Sequence, residues 1–344
     1  MKVVVATTIM PFVKGGARIL VDGLAKALAD QGHQVDELLL PFWDDPEEMV
    51  EQMLALRLVD VSHEAELLIC LRTPSYLLRH PNKVVWFLHH HRPAYDLADS
   101  PFSTRTRSAE RRVGKAIHES DRLGLDEARR VFAISETVAE RLRSYSGLDC
   151  DVLYPPLEGV DGYRCDGYGD VVFLPSRIAP VKRQALAIEA MAHVREPVRL
   201  VVVGAPDLPE HVEPLHELVN RLDLSERVEL VAEWVPEERK LDLYAQCLAV
   251  VFPPYGEDGY GYVAGEAFAA AKPVVTCTDS GGPLELVEDG VNGRVVEPEP
   301  AAIAAAIDDL ARDRSEAKRL GETGRDSLQK LGPGWERVVE ELTA

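Results

Sequence analysis

Residues 3–40 read VVVATTIMPFVKGGARILVDGLAKALADQGHQVDELLL, and this stretch indicates the fold. The apolar run at 3–5 is typical of a short buried strand. After a double glycine, apolar residues recur at helical spacing until Gly32, a residue type that commonly ends a helix. Residues 35–40 then predict a second strand. A strand, a helix and a strand in this order predict a parallel sheet with helices on its faces.

The same alternation of strands and helices runs through the rest of the chain, with one interruption. Residues 155–170 contain two prolines and four glycines without any periodicity, which indicates a linker between two domains. We therefore expect an α/β protein of two Rossmann-like domains that face one another across a cleft, with the boundary near residue 160. The predicted strands beyond residue 40 are 67–71, 84–88, 131–134, 171–174, 198–203, 228–231, 248–252 and 273–276, and the predicted later helices are 182–193, 210–221 and 237–246.

Composition limits the classes of function. The 344 residues suffice for two domains that each bury a core, and 46% hydrophobic with 28% charged residues is ordinary globular composition. The net charge of −20 at pH 7 argues against a general nucleic-acid-binding protein, which needs a basic face. It does not exclude a few cations that bind one small anion.

The five cysteines are widely spaced and form no C-x-x-C pair, so we expect neither a disulfide scaffold nor a zinc site. The N-terminus enters a strand directly and lacks the apolar core of a signal peptide. No apolar run approaches the roughly 20 residues that span a bilayer. These features predict a cytoplasmic protein.

Ligands of parallel sheets bind beyond the carboxyl ends of the strands, so residues at those positions are the functional candidates. Gly15 and Gly16 lie between the first strand and the first helix. A backbone without Cβ and a helix N-terminus suit an anion there, although a plain turn explains the pair equally well. The dinucleotide fingerprint G-x-G-x-x-G is absent, which weakens the case for NAD.

Three adjacent histidines, His89, His90 and His91, follow the strand at 84–88. Neighbours along a strand alternate faces, so they cannot all point the same way. No further ligand stands at a familiar metal-site spacing, and we expect no metal. His89, the first after the apolar run, is the residue that we expect to serve a site. The alternative is that these histidines are exposed or satisfied in the core.

Cations follow the first strand of the second domain. Arg177, Lys182 and Arg183 come within seven residues, just before a predicted helix. An arginine fork and a lysine point charge beside a helix N-terminus suit a diphosphate. Solvated surface charge is the alternative, and the position at a strand end argues against it.

A glycine-rich acidic loop at 255–261 follows the strand at 248–252 and leads into a helix. Asp258 and Glu266 lie eight positions apart, and two carboxylates suit a ligand with many hydroxyl groups. The glycines of the loop allow close approach of the backbone. A helix cap would explain the acidic residues of the loop but not Glu266, which stands among alanines and a phenylalanine.

Taken together, these segments resemble the retaining glycosyltransferases of family 4, which have the GT-B fold. The stretch from Asp258 to Glu266 is similar to their E-x7-E region, and the other matches follow in the same chain order. The matching positions are Gly16, His89, residues 133–138, Arg177, Lys182, Asp258, Glu266, Gly281-Gly282-Pro283, Glu285 and residues 289–293.

The resemblance implies contacts with the donor phosphates. Arg177 and Lys182 would bind the donor diphosphate and stabilise the charge that builds on it as the glycosidic bond breaks. Gly16 would approach the same phosphates. The loop backbone would approach the sugar and phosphate at Gly259, Tyr260, Gly261 and Tyr262.

The resemblance also implies contacts with the sugars. Glu266 would bind the nucleotide ribose hydroxyls, and Asp258 would bind hydroxyls of the donor sugar. The family usually has Glu where this chain has Asp258, which is one methylene shorter, so Glu257 is an alternative for that role. His89 would position the sugar or the acceptor.

The implied domain roles are an acceptor-side domain at 1–160, a nucleotide-sugar domain at 161–331, and a C-terminal helix at 332–344 that crosses back to the first domain. The implied enzyme is a hexosyltransferase that moves a sugar from a UDP- or GDP-sugar to an acceptor hydroxyl. It would retain the anomeric configuration and use neither a metal nor another cofactor. The acceptor would be a glycan, a lipid-linked molecule or a small molecule.

Alternatives remain open. An NDP-sugar 2-epimerase and a glycan phosphorylase share the two-domain scaffold, and a non-catalytic sugar-nucleotide-binding protein would need the same donor site.

A basic stretch between Arg105 and Arg130 would suit anionic lipid at the inner face of the membrane. Interleaved acidic residues favour an exposed helix face there instead.

Overall fold

The computed structural model describes residues 1–9, 16–43, 45–103, 107–328 and 334–344, without the side chains of residues 46, 47 and 107–112. The chain divides into two units. The first comprises Met1–Pro156 together with Gly332–Ala344, and the second is Leu157–Leu331. Each unit has a parallel sheet with helices, which confirms the predicted fold class.

Six strands form the sheet of the first unit within the described residues, in the order β2-β1-β3-β4-β5-β6. Its central strands are buried along their whole length, because helices cover both faces of the sheet. The strands are β1 (Lys2–Ile9), β2 (Gln34–Pro41), β3 (Leu67–Cys70), β4 (Lys83–Phe87), β5 (Arg130–Ala133) and β6 (Asp151–Val152). The helices between them are α1 (Gly16–Asp30), α2 (Pro46–Leu58), α3 (Arg107–Asp126) and α4 (Glu136–Ser146).

The second sheet also has six strands within the described residues, in the order β12-β11-β10-β7-β8-β9. The strands are β7 (Val171–Pro175), β8 (Arg199–Val203), β9 (Val228–Val231), β10 (Ala249–Val251), β11 (Val274–Cys277) and β12 (Gly293–Val296). The helices are α5 (Gln184–Met191), α6 (Glu213–Arg221), α7 (Glu237–Gln246), α8 (Tyr262–Ala269), α9 (Pro300–Arg312) and α10 (Arg314–Ser327). Strands β6 and β12 were not predicted, because their runs are short and only partly buried.

Local details differ from the sequence patterns at two places. The units divide after Pro156 rather than near residue 160, and Leu157 packs against α8 at Gly265. The helix expected at 182–193 is shorter at both ends. It begins only at Gln184, because a 3-10 turn precedes it and Arg183 has a φ of +52°.

The last helix, α11 (Trp335–Thr343), returns to the first unit. It buries Val338, Val339 and Leu342 in that unit's core. The Trp335 ring meets the Trp86 ring edge-on, with 6.3 Å between the ring centroids. The C-terminal segment therefore completes the hydrophobic core of the first unit.

None of the helices in the described parts of the chain combines the length and the apolar character needed to cross a bilayer.

The packing of α11 can be tested with Leu342→Ala. Leu342 is fully buried, so the variant should lose about 2–5 kcal/mol of unfolding free energy in urea denaturation of the full chain. The control is Leu58→Ala in the same unit. The Leu58 side chain is 77% exposed, and its loss should change stability by less than about 0.5 kcal/mol. Equal effects of the two substitutions would contradict the packing of α11.

Candidate functional site

The strand order of the second sheet reverses between its neighbouring strands β7 and β10. From β7 the chain continues outward to β8 and β9, and from β10 it continues the other way to β11 and β12. A crevice for ligands forms beyond the carboxyl ends of the strands at such a reversal. The segments there are residues 176–183 and 252–261, which contain the predicted cations and the predicted acidic loop.

Lys182 joins these two segments. Its ammonium group forms an ion pair with the Glu257 carboxylate, and it lies 5.7 Å from the centroid of the Phe252 ring. The side chains of Lys182 and Glu257 are only 13% and 20% exposed, so water screens this pair less than a surface pair. The structure therefore brings together two residues that the sequence placed at separate strand ends.

Arg177 pairs with a residue that the sequence analysis did not single out. Its Nη1 lies 2.7 Å from Oδ1 of Asp207, a residue just beyond β8. Burial raises the pKa of Asp207 above its usual value, although the charges of Arg177 and Lys182 act to lower it. Both predicted cations thus act on one carboxylate. The position of Asp207 after a strand was the signal that would have identified it.

Arg183 forms hydrogen bonds with the residues that precede the acidic loop and with Asp279. Its guanidinium donates to the carbonyl oxygens of Pro253 and Pro254 at 2.6 and 2.7 Å, and to both carboxylate oxygens of Asp279. These bonds hold a non-glycine residue in the left-handed backbone region. Arg183 therefore connects the start of α5 to the loop after β10 and to the segment after β11.

Glycines at the other side of the loop permit close backbone contact. A Cβ at Gly282 would lie 2.0 Å from the carbonyl oxygen of Gly259, and Gly281 has a φ of +73°. The backbone N–H of Gly282 donates to the carbonyl of Glu257 at 2.9 Å. Only glycine fits both positions, which explains the double glycine that the sequence shows after β11.

The remaining loop residues form the turn into α8. Asp258 is half-buried in the loop, and Tyr262 is the first residue of α8. The Tyr260 side chain is buried, so its backbone is the part that a ligand would meet. Gly261 has a φ of +75° and packs on the Phe252 ring, where a side chain would collide.

Glu266 lies on α8, where it faces residues of α7. Its Oε1 lies 3.1 Å from Lys240 Nζ, and its Oε2 accepts a hydrogen bond of 2.7 Å from the Tyr244 hydroxyl. Neither partner was predicted from the sequence. Lys240 and Tyr244 stand one helical turn apart on a charged helix, which is a pattern too common to mark a site.

In the first unit, His89 lies two residues beyond the end of β4 and is half-buried. Its Nδ1 lies 2.7 Å from the carbonyl oxygen of His90. A carbonyl oxygen only accepts, so Nδ1 of His89 carries a hydrogen and donates it to this oxygen.

His90 is a core residue. It packs among the rings of Phe87, Tyr95 and Tyr145, and neither ring nitrogen has a hydrogen-bond partner among the residues that the structure describes. Burial lowers the pKa of His90 to about 3, so the ring is neutral. In the part of the chain that the structure describes, no group of three or more His, Cys, Asp or Glu side chains is placed to hold a metal ion.

The double glycine and the basic stretch of the first unit lie partly outside the described residues. Gly16 is the exposed first residue of α1, whereas Gly15 lies outside the described residues. In the basic stretch Arg105 is also outside them, and Lys115 pairs with Glu119 on the exposed surface of α3 at 3.7 Å. That pair agrees with an exposed helix face of mixed charge.

Comparison with known proteins points to one family. Residues 166–327 match the family model of Glycosyl transferases group 1. An alpha-1,3/1,6-mannosyltransferase of Homo sapiens is 30% identical over 227 residues, which cover 59% of this chain and 53% of that protein. The chain thus matches about half the length of this relative.

Solved structures share the fold over nearly the whole chain. A sucrose-phosphate synthase from Thermosynechococcus elongatus has a TM-score of 0.78 at 20% identity, covering 99% of this chain and 97% of its own. HepE of Anabaena in complex with UDP-glucose has a TM-score of 0.74 at 20% identity, covering 99% of both chains. These likenesses show the two-unit GT-B fold.

Gly282→Ala tests the close contact beneath the acidic loop. The new methyl group would meet a backbone oxygen, which cannot move away as a flexible side chain would. We expect a loss of about 1–3 kcal/mol of unfolding free energy, measured by urea denaturation. The control is Gly162→Ala, whose Cβ would make an ordinary contact of 3.7 Å with Leu241. A Gly282→Ala variant as stable as this control would disprove the contact.

Proposed function

We propose that the protein transfers a hexose from a nucleotide-diphosphate sugar to an acceptor hydroxyl, on the premise that residues 166–327 in its second unit match the family model of Glycosyl transferases group 1. The observation that supports the proposal most strongly is the ion pair between Lys182 and Glu257 of the acidic loop. This pair lies where the strand order reverses between β7 and β10. Ligands of parallel sheets bind at this kind of position.

The donor diphosphate is assigned to Lys182 and Arg177. Each cation pairs with a carboxylate, Lys182 with Glu257 and Arg177 with Asp207. A diphosphate carries more negative charge than one carboxylate, so it competes for the same cations. Its binding would release Glu257 towards the donor sugar, beside Asp258.

The same two cations supply the electrostatic part of the reaction. Negative charge builds on the diphosphate as the glycosidic bond breaks, and preplaced cations stabilise it without reorganisation. We propose on this ground that the reaction needs no metal ion. Retention of the anomeric configuration is proposed from the resemblance to family 4.

The rest of the donor is assigned along the loop and α8. Glu266 would accept hydrogen bonds from the ribose hydroxyls, and the backbone of residues 259–262 would lie against the sugar and phosphate. HepE, a structural neighbour, binds UDP-glucose, and the human relative is named as a mannosyltransferase. UDP-glucose and a GDP-linked mannose are therefore the first donors to test.

The acceptor side is assigned to the first unit. There His89 would contact the sugar or the acceptor. The acceptor is proposed to be a glycan, a lipid-linked molecule or a small molecule.

A donor panel tests the activity. UDP-, GDP- and ADP-sugars are incubated with the full chain, with and without acceptor candidates, and released nucleoside diphosphate is measured. We expect release from one class of donor, stimulated by acceptor, unchanged by EDTA, and with a product of retained configuration by NMR. Turnover of donor without any acceptor would indicate an epimerase instead. Binding without turnover would indicate a sugar-nucleotide-binding protein.

Lys182→Ala tests the diphosphate assignment. Loss of one preplaced charge should lower kcat about 10²- to 10³-fold, measured by release of nucleoside diphosphate. The control is Lys318→Ala in the same unit. Lys318 is 61% exposed, and its removal should leave kcat unchanged. Circular dichroism confirms that both variants are folded. A Lys182→Ala variant with the kcat of the control would refute the assignment.

A further inference from the structure

Lys240 and Tyr244 both contact the Glu266 carboxylate, which the proposed function assigns to the ribose hydroxyls. The inference rests on that proposed function. Lys240 Nζ lies 3.1 Å from Oε1 of Glu266 and 2.9 Å from Oε1 of Glu237. The Tyr244 hydroxyl donates to Oε2 of Glu266 at 2.7 Å. Each oxygen of Glu266 thus has one donor from α7.

The charge state of both donors follows from their surroundings. Burial lowers the pKa of Lys240, but the charges of Glu266 and Glu237 outweigh it, so the pKa lies above its usual value. Burial and the charge of Glu266 raise the pKa of Tyr244 well above its usual value. At neutral pH Lys240 is an ammonium ion, and Tyr244 keeps its proton.

The contacts of Glu266 leave acceptor capacity on its carboxylate. A carboxylate offers about four lone-pair positions, two on each oxygen. Lys240, Tyr244 and the Tyr163 hydroxyl, which also hydrogen-bonds to Glu266, use three of them. The remaining position can accept a hydrogen bond from one ribose hydroxyl.

We propose that Lys240 and Tyr244 are positioning residues that hold the Glu266 carboxylate oriented for a ribose hydroxyl, so that Lys240 sets the preference of the site for ribonucleotides over 2′-deoxyribonucleotides. Direct phosphate binding by Lys240 is disfavoured by charge. Its ammonium group lies between the carboxylates of Glu237 and Glu266, and this arrangement has a net negative charge that repels phosphate.

The test is a double-mutant cycle on nucleotide binding. Calorimetry measures the affinity of UDP and 2′-deoxy-UDP, or of the guanosine pair if the donor panel selects GDP. The variants are Lys240→Met, Glu266→Ala and their combination in the full chain, with Lys318→Met as the matched control. We expect Lys240→Met to weaken UDP binding about tenfold and 2′-deoxy-UDP binding much less. In the Glu266→Ala background it should have no further effect.

Conservative variants separate positioning from folding. Lys240→Arg keeps a cation beside Glu266 and should restore most of the ribose preference. Tyr244→Phe keeps the buried ring, removes one donor, and should reduce the preference without unfolding the chain.

Each contrary result has its own meaning. Equal weakening of both nucleotides by Lys240→Met, additive losses in the double variant, or an unchanged ribose preference in Lys240→Met would overturn the positioning role. Unchanged UDP affinity in Glu266→Ala would instead overturn the ribose assignment within the proposed function.

Discussion

The reversal of strand order between β7 and β10 is the constraint on which the site depends. All strands of the second sheet are parallel, so their carboxyl ends lie at one edge. At the reversal, the two connections leave in opposite directions and open a crevice between them. Lys182 and Glu257 lie on the two connections at that point, and their ion pair joins them. A sheet without this reversal would not leave such a crevice.

Contacts on two sides hold the acidic loop in position. On one side Arg183 donates to the carbonyl oxygens of Pro253 and Pro254, just before the loop, and to Asp279. The backbone of Gly282 contacts the loop where a Cβ would not fit. The Arg183 side chain and the Gly282 backbone thus fix the position of the acidic loop. A rigid surrounding shell of this kind keeps charges in place for a reaction.

Prediction from the sequence worked best for the place of a residue in the fold. Strand ends are visible as apolar runs followed by polar residues, and Lys182 and the acidic loop do follow the ends of β7 and β10. Ser135 caps α4, and its hydroxyl accepts a hydrogen bond from the backbone N–H of Val138 at 3.1 Å. Asp207 was missed although it follows a predicted strand, whereas Lys240 was missed because its partner Glu266 is distant in sequence.

The sequence by itself determined the parallel α/β architecture, the two-unit organisation and the set of polar residues at the strand ends. These follow from local periodicity and from glycine positions, which neighbouring residues along the chain decide. Only the tertiary structure decided which residues meet: Lys182 with Glu257, Arg177 with Asp207, and Glu266 with Lys240 and Tyr244. The physical reason is that ion pairs and hydrogen bonds depend on distance in space, and sheet order sets that distance.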